Sequence, residues 1–189
     1  MALKLITPAT ALAVSLAEAK LHLRVDASDD DTLISAYITA ATELAEQATG
    51  CAIMPQTWEL TLDAFPAAFE LTRVPAASIT SLKYWDVDGN LVTLDASHYT
   101  LDNTNDFGYA YVVPAYGDAW PVGRAQINAV ALRYIAGYAS SASVPESIKS
   151  WIKLMVGAMY ENRQTESDVQ TYALGFADRL LDRYKVWAL

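Results

Sequence analysis

Two hydrophobic periods divide the chain. Leu33, Ile34, Tyr37, Ile38, Ala41, Leu44, Ala45 and Ala48 recur at spacings of three and four, which predicts a helix with one apolar face. Asp29-Asp30-Asp31 precede this stripe and Gly50 comes after it. Acids favour the positive end of a helix, and glycine suits its left-handed stop. Upstream, Ser15-Leu16-Ala17-Glu18 has the spacing of a capping box and predicts a short helix over 15–24. From Thr57 the period falls to two. Trp58, Leu60 and Leu62 alternate with Thr57, Glu59, Thr61 and Asp63, the signature of a half-buried strand. Further strands are predicted at 78–85, 91–94, 109–113 and 129–134. Asp86-Val87-Asp88-Gly89-Asn90 reads as a hairpin turn, because Gly and Asn tolerate positive φ. Pro66, Pro75, Pro114 and Pro121 keep the strands short.

The helical period returns at Val144-Pro145-Glu146, with proline placed for a first turn. Ile148, Trp151, Ile152, Met155, Val156, Met159 and Tyr160 carry it to near Arg163. Residues 164–171 are polar and acidic and read as a loop, and 173–181 read as a last short helix. Each helical stripe needs a partner. Leu33, Ile34, Tyr37, Ile38 and Leu44 are therefore expected to pack against Ile148, Trp151, Ile152, Met155 and Met159.

Composition narrows the class. The chain of 189 residues is 53% apolar and 19% charged, which excludes intrinsic disorder. Its mean hydropathy of +0.14 leans towards apolar surface that something outside the subunit covers. The net charge of −9 and pI near 4.5 argue against a protein that grips nucleic acid. Six basic and six acidic residues balance over 144–189, so all the net acidity lies in 1–143. One cysteine, Cys51, makes no internal disulfide framework. Residues 5–17 are uncharged and loosely imitate a secretory signal, but Pro8, Thr7, Thr10 and Ser15 dilute the apolar run and Glu18 spoils the cleavage motif. A helix start is the better reading, and a soluble, intracellular chain is expected. No apolar run approaches the ~20 residues that cross a bilayer.

The search for chemistry returns no catalytic, cofactor-binding or metal-binding residues. His22 and His98 are far apart in sequence and lack zinc-ligand spacing. Asp86-x-Asp88-Gly89 matches only the start of a calcium loop and lacks the later ligands. No nucleophile elbow, Walker A motif or dinucleotide fingerprint occurs. The notable feature is aromatic content, 5 Trp, 11 Tyr and 4 Phe. Tyr109, Tyr111, Tyr116 and Trp120 stand in one loop-rich stretch, where they either fill a core or form an interface or sugar-stacking surface. The segment 179–189 joins Arg179, Arg183 and Lys185 to Tyr184, Val186, Trp187 and Leu189. It either folds back over its own helices or docks on a partner, where Tyr184, Val186 and Ala188 alternate as a strand would.

The order of these motifs resembles the phage head–tail connector (adaptor) proteins of the gp6-like kind, closest to the phiE125 gp8-like subgroup of prophages and gene transfer agents. The resemblance opens with Ser15-Leu16-Ala17-Glu18-Ala19-Lys20-x-His22-Leu23-Arg24-Val25-Asp26. It runs through Gln56-Thr57-Trp58-Glu59-Leu60, Ala64-Phe65-Pro66, Tyr84-x-Asp86-x-Asp88-Gly89 and Tyr116-Gly117-x-x-Trp120-Pro121. Arg133-Tyr134-x-Ala136-Gly137-Tyr138, Val144-Pro145 and Tyr160-Glu161-Asn162-Arg163 complete it. Leu71-Thr72-Arg73-Val74-Pro75 departs from the pattern, where a Leu-Pro start and a later glycine are expected.

The resemblance implies an α+β fold, a helical connector core with an inserted antiparallel β region. Residues 1–54 and 144–189 would form the core, and 55–143 the insertion. It also implies a non-enzymatic virion subunit without cofactor, in a homo-oligomeric ring of roughly a dozen copies. The ring would lie beneath the portal protein, meet a tail-side stopper or terminator protein, and pass DNA without specific binding. No membrane is involved, and assembly takes place in the host cytoplasm before the subunit joins the particle. The candidate interface is Tyr109, Tyr111, Tyr116, Trp120, Arg179, Arg183, Tyr184, Lys185, Val186, Trp187 and Leu189. The alternative is an aromatic-rich carbohydrate- or protein-binding β module of a phage-related particle.

Overall fold

The computed structural model describes residues 1–105, 108–162 and 175–186, except the side chain of Asp178. Helix α1 spans Leu16–Leu23 and opens with the capping box: Ser15 Oγ accepts from the Glu18 N–H, and Glu18 Oε2 accepts from the Ser15 N–H at 2.8 Å. Helix α2 spans Asp31–Thr49 and stops at Gly50, whose φ is +78° and whose N–H returns to Glu46 O. Helix α3 spans Glu146–Glu161, and the short α4 spans Gly175–Arg179.

Ile34, Ile38, Ala41 and Ala45 of α2 are buried with Ile148, Trp151, Ile152 and Val156 of α3, and Tyr37 and Met155 pack at the margin. Leu33, Leu44 and Met159 lie outside this cluster. The buried stripe of α2 advances by four, three and four residues. Leu44 sits about 100° round from Ala45 and is 39% exposed.

Strands β1 (Ala2–Thr7), β2 (Gln56–Leu62), β4 (Ala76–Trp85), β5 (Leu91–Leu94) and β8 (Val130–Ala136) form a five-stranded sheet in the order β1-β2-β8-β4-β5. Strands β3 (Phe69–Leu71), β6 (Tyr99–Asp102) and β7 (Ala110–Pro114) form a second sheet in the order β3-β7-β6. All pairings are antiparallel. Leu60 and Leu82 both register with Leu132, so one buried leucine row crosses the large sheet. That row joins Phe69, Leu71 and Val112 of the small sheet in a second hydrophobic cluster. The Asp86–Asn90 turn closes the β4–β5 hairpin, with the Asp86 N–H on Asn90 O and φ +86° at Gly89.

The expected helical core with an inserted β region is corrected here. The chain is mixed α+β, but it holds two hydrophobic clusters, one among the helices and one between the sheets. The larger sheet begins with the N-terminal strand β1, which registers Leu3 on Leu60. The sheet is thus built from both ends of the supposed boundary, and Val186 near the other terminus packs on the sheet cluster as well. In β1 the alternation is confined to Leu3, Lys4 and Leu5, and the uncharged run from Leu5 onward hides it. Strands β3 and β6, of three and four residues, adjoin no turn motif like the one that marks the equally short β5.

The helical cluster and the sheets meet where β8 ends. Gly137 has φ +118°, and a Cβ there would lie 2.3 Å from the Met54 carbonyl oxygen, so only glycine lets the two backbones touch. The departure at Leu71–Pro75 coincides with a cis Val74–Pro75 peptide. Position within the α2 stripe should decide mutational cost. Ile38→Ala should destabilise by ~2–5 kcal/mol, whereas Leu44→Ala should cost about 1 kcal/mol or less. Equal costs in urea titrations would contradict the packing described.

Candidate functional site

The end of α2 and the six residues between it and β2 are bound from several elements. The Thr49 carbonyl accepts from the Val186 N–H at 2.8 Å, the Ala52 N–H donates to Val74 O, and the Tyr138 N–H donates to Ile53 O. Glu46 Oε1 accepts from the Ile53 N–H and from Gln56 Nε2, each at 2.7 Å. Burial pushes the Glu46 carboxyl up, opposed by those two donors and by the charge of Arg73. Arg73 donates to Gly50 O at 3.1 Å and lies 5.0 Å over the Trp58 ring, a cation–π contact.

Beside this junction lies a cleft of about 650 Å³. Leu3 and Leu5 of β1, Leu12, Trp58 and Val186 give it an apolar wall, and Glu43, Glu46 and Arg73 supply its charge. Thr39 and Thr42 add hydroxyls to the same lining.

The four aromatic candidates do not converge. Tyr109 lines the cleft. Tyr111 is exposed on β7, and Tyr116 is fully exposed at a turn. Trp120 instead stacks on Phe65 at 5.3 Å and meets Phe69 edge-on at 5.3 Å, with Tyr84 edge-on to Phe65. It anchors its loop over the sheet cluster and forms no open stacking platform with the tyrosines. Asp118 in the same loop pairs with His98 at 2.9 Å.

At the other terminus, Arg179 and Arg183 are exposed. The Tyr184 hydroxyl accepts from Ser147 Oγ at 3.1 Å, and its carbonyl accepts from Cys51 Sγ. Lys185 pairs with Asp182 at 2.6 Å, and Leu181 is buried in the helical cluster. Through Val186 the segment is therefore tied to its own subunit. Trp187 and Leu189 lie outside the described residues. The sequence did not single out exposed Val87 and Val122, which flank the Asp86–Gly123 bridge. Single apolar residues in turns carry no periodic signal, so pattern reading could not find them.

Charged pairs brace the helices. Lys149 is buried on α3, 3.1 Å from Glu18 and 3.3 Å from Glu146. The hydrogen bond to Glu18 raises the Lys149 ammonium against the opposing effect of burial. Glu18 is lowered to about 2, chiefly by the Ser15 hydroxyl, then by the Ser15 N–H and Lys149. Asp86 is lowered by the Asn90 N–H and side chain, which makes it a turn anchor. Among the described residues no group of three or more His, Cys, Asp or Glu side chains could hold a metal ion.

Because Glu18 titrates lower in the fold than its ordinary 4.5, its stabilisation is full above that value and fades as pH falls towards 2. Glu18→Gln should therefore lower the melting temperature at pH 7 and converge on the parent protein near pH 2. Ser15→Ala should cost about 1 kcal/mol at pH 7. A Glu18→Gln deficit that stays constant with pH would refute the assignment.

Residues 13–79, about a third of the chain, match the family model described as phage gp6-like head-tail connector protein. No curated protein matches the sequence. Three solved structures are similar over 100% of this chain and 97% of theirs. A chain in the neck of an empty gene transfer agent particle, computed with C6 symmetry, is 24% identical with a TM-score of 0.81. A chain in the virion of a native gene transfer agent particle is 23% identical with a TM-score of 0.79. A chain in the neck of the native particle, computed with C12 symmetry, is 22% identical with a TM-score of 0.77. The region carrying the capping box, α2 and the junction is thus similar to phage gp6-like head-tail connector proteins, and the whole chain has the fold of chains solved in gene transfer agent particles.

Proposed function

We propose that the chain is a structural head–tail connector subunit, set in a ring of roughly a dozen copies between a portal protein and a tail-side stopper or terminator protein. The observation that carries this reading is the end-to-end fold likeness to neck chains, joined to the connector match over 13–79. The symmetries of those necks, C6 and C12, favour a closed ring here. A ring of identical subunits needs two different patches per copy. Exposed Tyr111 and Tyr116 on the sheet side, and Arg179 and Arg183 on the helical side, are suited to such contacts. Trp120 would act through its loop. Assembly in the host cytoplasm and residence at the head–tail junction accord with the role. Among the described residues no helix is long and apolar enough to cross a membrane.

The acidic excess suits a subunit beside a DNA channel, since like charge repels phosphate and prevents adhesion. The isolated protein should bind duplex DNA no better than an unrelated acidic protein at physiological salt. Tight, salt-sensitive retardation in a gel-shift assay would contradict this. The role itself is tested by adding the purified chain to portal-bearing heads that lack it. Electron microscopy should show a ring at the portal vertex and restored tail attachment. An Arg179→Glu/Arg183→Glu double variant should fold normally and attach poorly. Heads that acquire tails without the chain would overturn the proposal.

A further inference from the structure

The two ends of the large sheet carry unlike surfaces. At the end where Gln56 and Ala76 register with Ala136 lies the junction cleft. Leu3, Leu5, Leu12 and Trp58 form its apolar wall, and Glu43 and Gln47 are exposed on its α2 side. At the end where Leu62 and Tyr84 register with Val130, Val87 and Val122 flank the Asp86–Gly123 bridge and are 65% and 78% exposed. Ile127, 80% exposed, stands in the loop that the Arg124 N–H ties to Trp85 O and the Trp85 N–H ties to Ala129 O. Arg124 reaches over the hairpin turn, with Nη1 2.8 Å from the place a Gly89 Cβ would take. Strand β8 has seven residues, so the two ends are about 20 Å apart, and this tip cannot fill its own subunit's cleft. We infer that the cleft receives the tip of a second copy, with Val87, Val122 and Ile127 against the leucines and Arg124 beside Glu43.

An apolar protrusion and a matching hollow elsewhere on the same molecule make a head-to-tail contact, the kind that closes into a ring or runs on as a filament. The cleft's volume of about 650 Å³ admits the three aliphatic side chains, whose burial removes apolar area from water. The tip is fixed before any contact. Besides the two Trp85 bonds, the Asn128 N–H is held by Asp63 at 2.8 Å, and the Phe65 ring lies 3.9 Å from the place a Gly123 Cβ would take. Little ordering entropy is then lost on docking. The charges agree as well. Helix α2 carries Asp31, Glu43 and Glu46 and no Lys or Arg, so its side of the cleft favours the incoming Arg124. Asp86 of the tip is taken up by its own turn, and the remaining Asp88 suits Arg73, the cation of the cleft. This contact rests on the ring reading and names the ring's lateral interface.

The test uses the full chain on portal-bearing heads that lack it. Val122→Cys and Gln47→Cys, both at exposed positions, are combined in one chain, and the buried Cys51 is left in place. Oxidation of the assembled particles should give a ladder of covalent oligomers extending beyond the dimer. A mixture of chains that each carry one of the two cysteines should stop at dimers, and either single variant alone should stay monomeric. A dimer from one single variant alone means that like patches meet, and overturns the inference. Rings visible by electron microscopy without the cross-link overturn the contact but leave the connector reading standing. Heads on which even the parent chain forms no ring overturn both. In a second test, Arg124→Glu or Glu43→Arg alone should weaken ring formation about tenfold, and the two together should restore most of it. Such recovery cannot come from misfolding, and its failure overturns the pairing of Arg124 with Glu43.

Discussion

Everything in this subunit depends on how the segment between α2 and β2 is held. Its backbone is partnered by Val74, by Tyr138 and by the side chains of Arg73 and Glu46, and Val186 binds the adjoining Thr49 carbonyl. The Glu46 carboxylate is the central group, because it binds both the Ile53 N–H and the Gln56 amide. A half-buried carboxylate is costly to desolvate, and its two donors with nearby Arg73 offset that cost. Removing the carboxylate would leave a buried N–H and a buried amide without acceptors, so the junction is an all-or-none arrangement. Gly137 adds a steric condition, since β8 reaches the junction only by backbone contact with Met54.

This junction explains why two modest clusters can act as one body. Cys51 and Ala52 are buried in the sheet cluster and Ile53 and Met54 in the helical one, so the segment packs into both while its hydrogen bonds bridge them. The Glu18–Lys149–Glu146 group works likewise within the helices. It ties α1 to α3 through a buried ammonium that both carboxylates partner. Such a build keeps the subunit's shape while leaving its edges free.

The sequence made the long elements readable and the short ones not. Helix α2 and the β4–β5 hairpin obey strong local rules: a stripe of threes and fours with a glycine stop, and an Asp-x-Asp-Gly-Asn turn. The capping box at Ser15 was legible for the same reason. Strands β1, β3 and β6 were not: they are short, their pairing is decided by distant partners, and none adjoins a turn motif like Asp86–Asn90, which marks the equally short β5. That gap produced the wrong picture of a helical core with an inserted sheet. The site shows the same divide. The aromatic stretch was visible as composition, but Trp120 proved to be a loop anchor beside Phe65 and Phe69. Glu46 and Arg73 carried no motif, and only tertiary structure brings them to one cleft.

The edges of the large sheet bear on how copies can meet. Strands β1 and β5 each pair on one side only within the subunit, and exposed edges invite strand addition. In β1 the register shifts between Leu5 and Thr7, and Pro8 comes directly after. A bulge and a proline both spoil a continuous ladder, so unlimited edge-to-edge growth is disfavoured there. Strand β5 has only four residues, too few to template a long partner. In the proposed ring, copies would associate through defined side-chain patches that close after a fixed number of subunits, and open ladders would compete with that closure. Short, interrupted edges beside exposed groups such as Tyr116, Val87 and Val122 are the arrangement that lets side chains, rather than backbone, choose the neighbour.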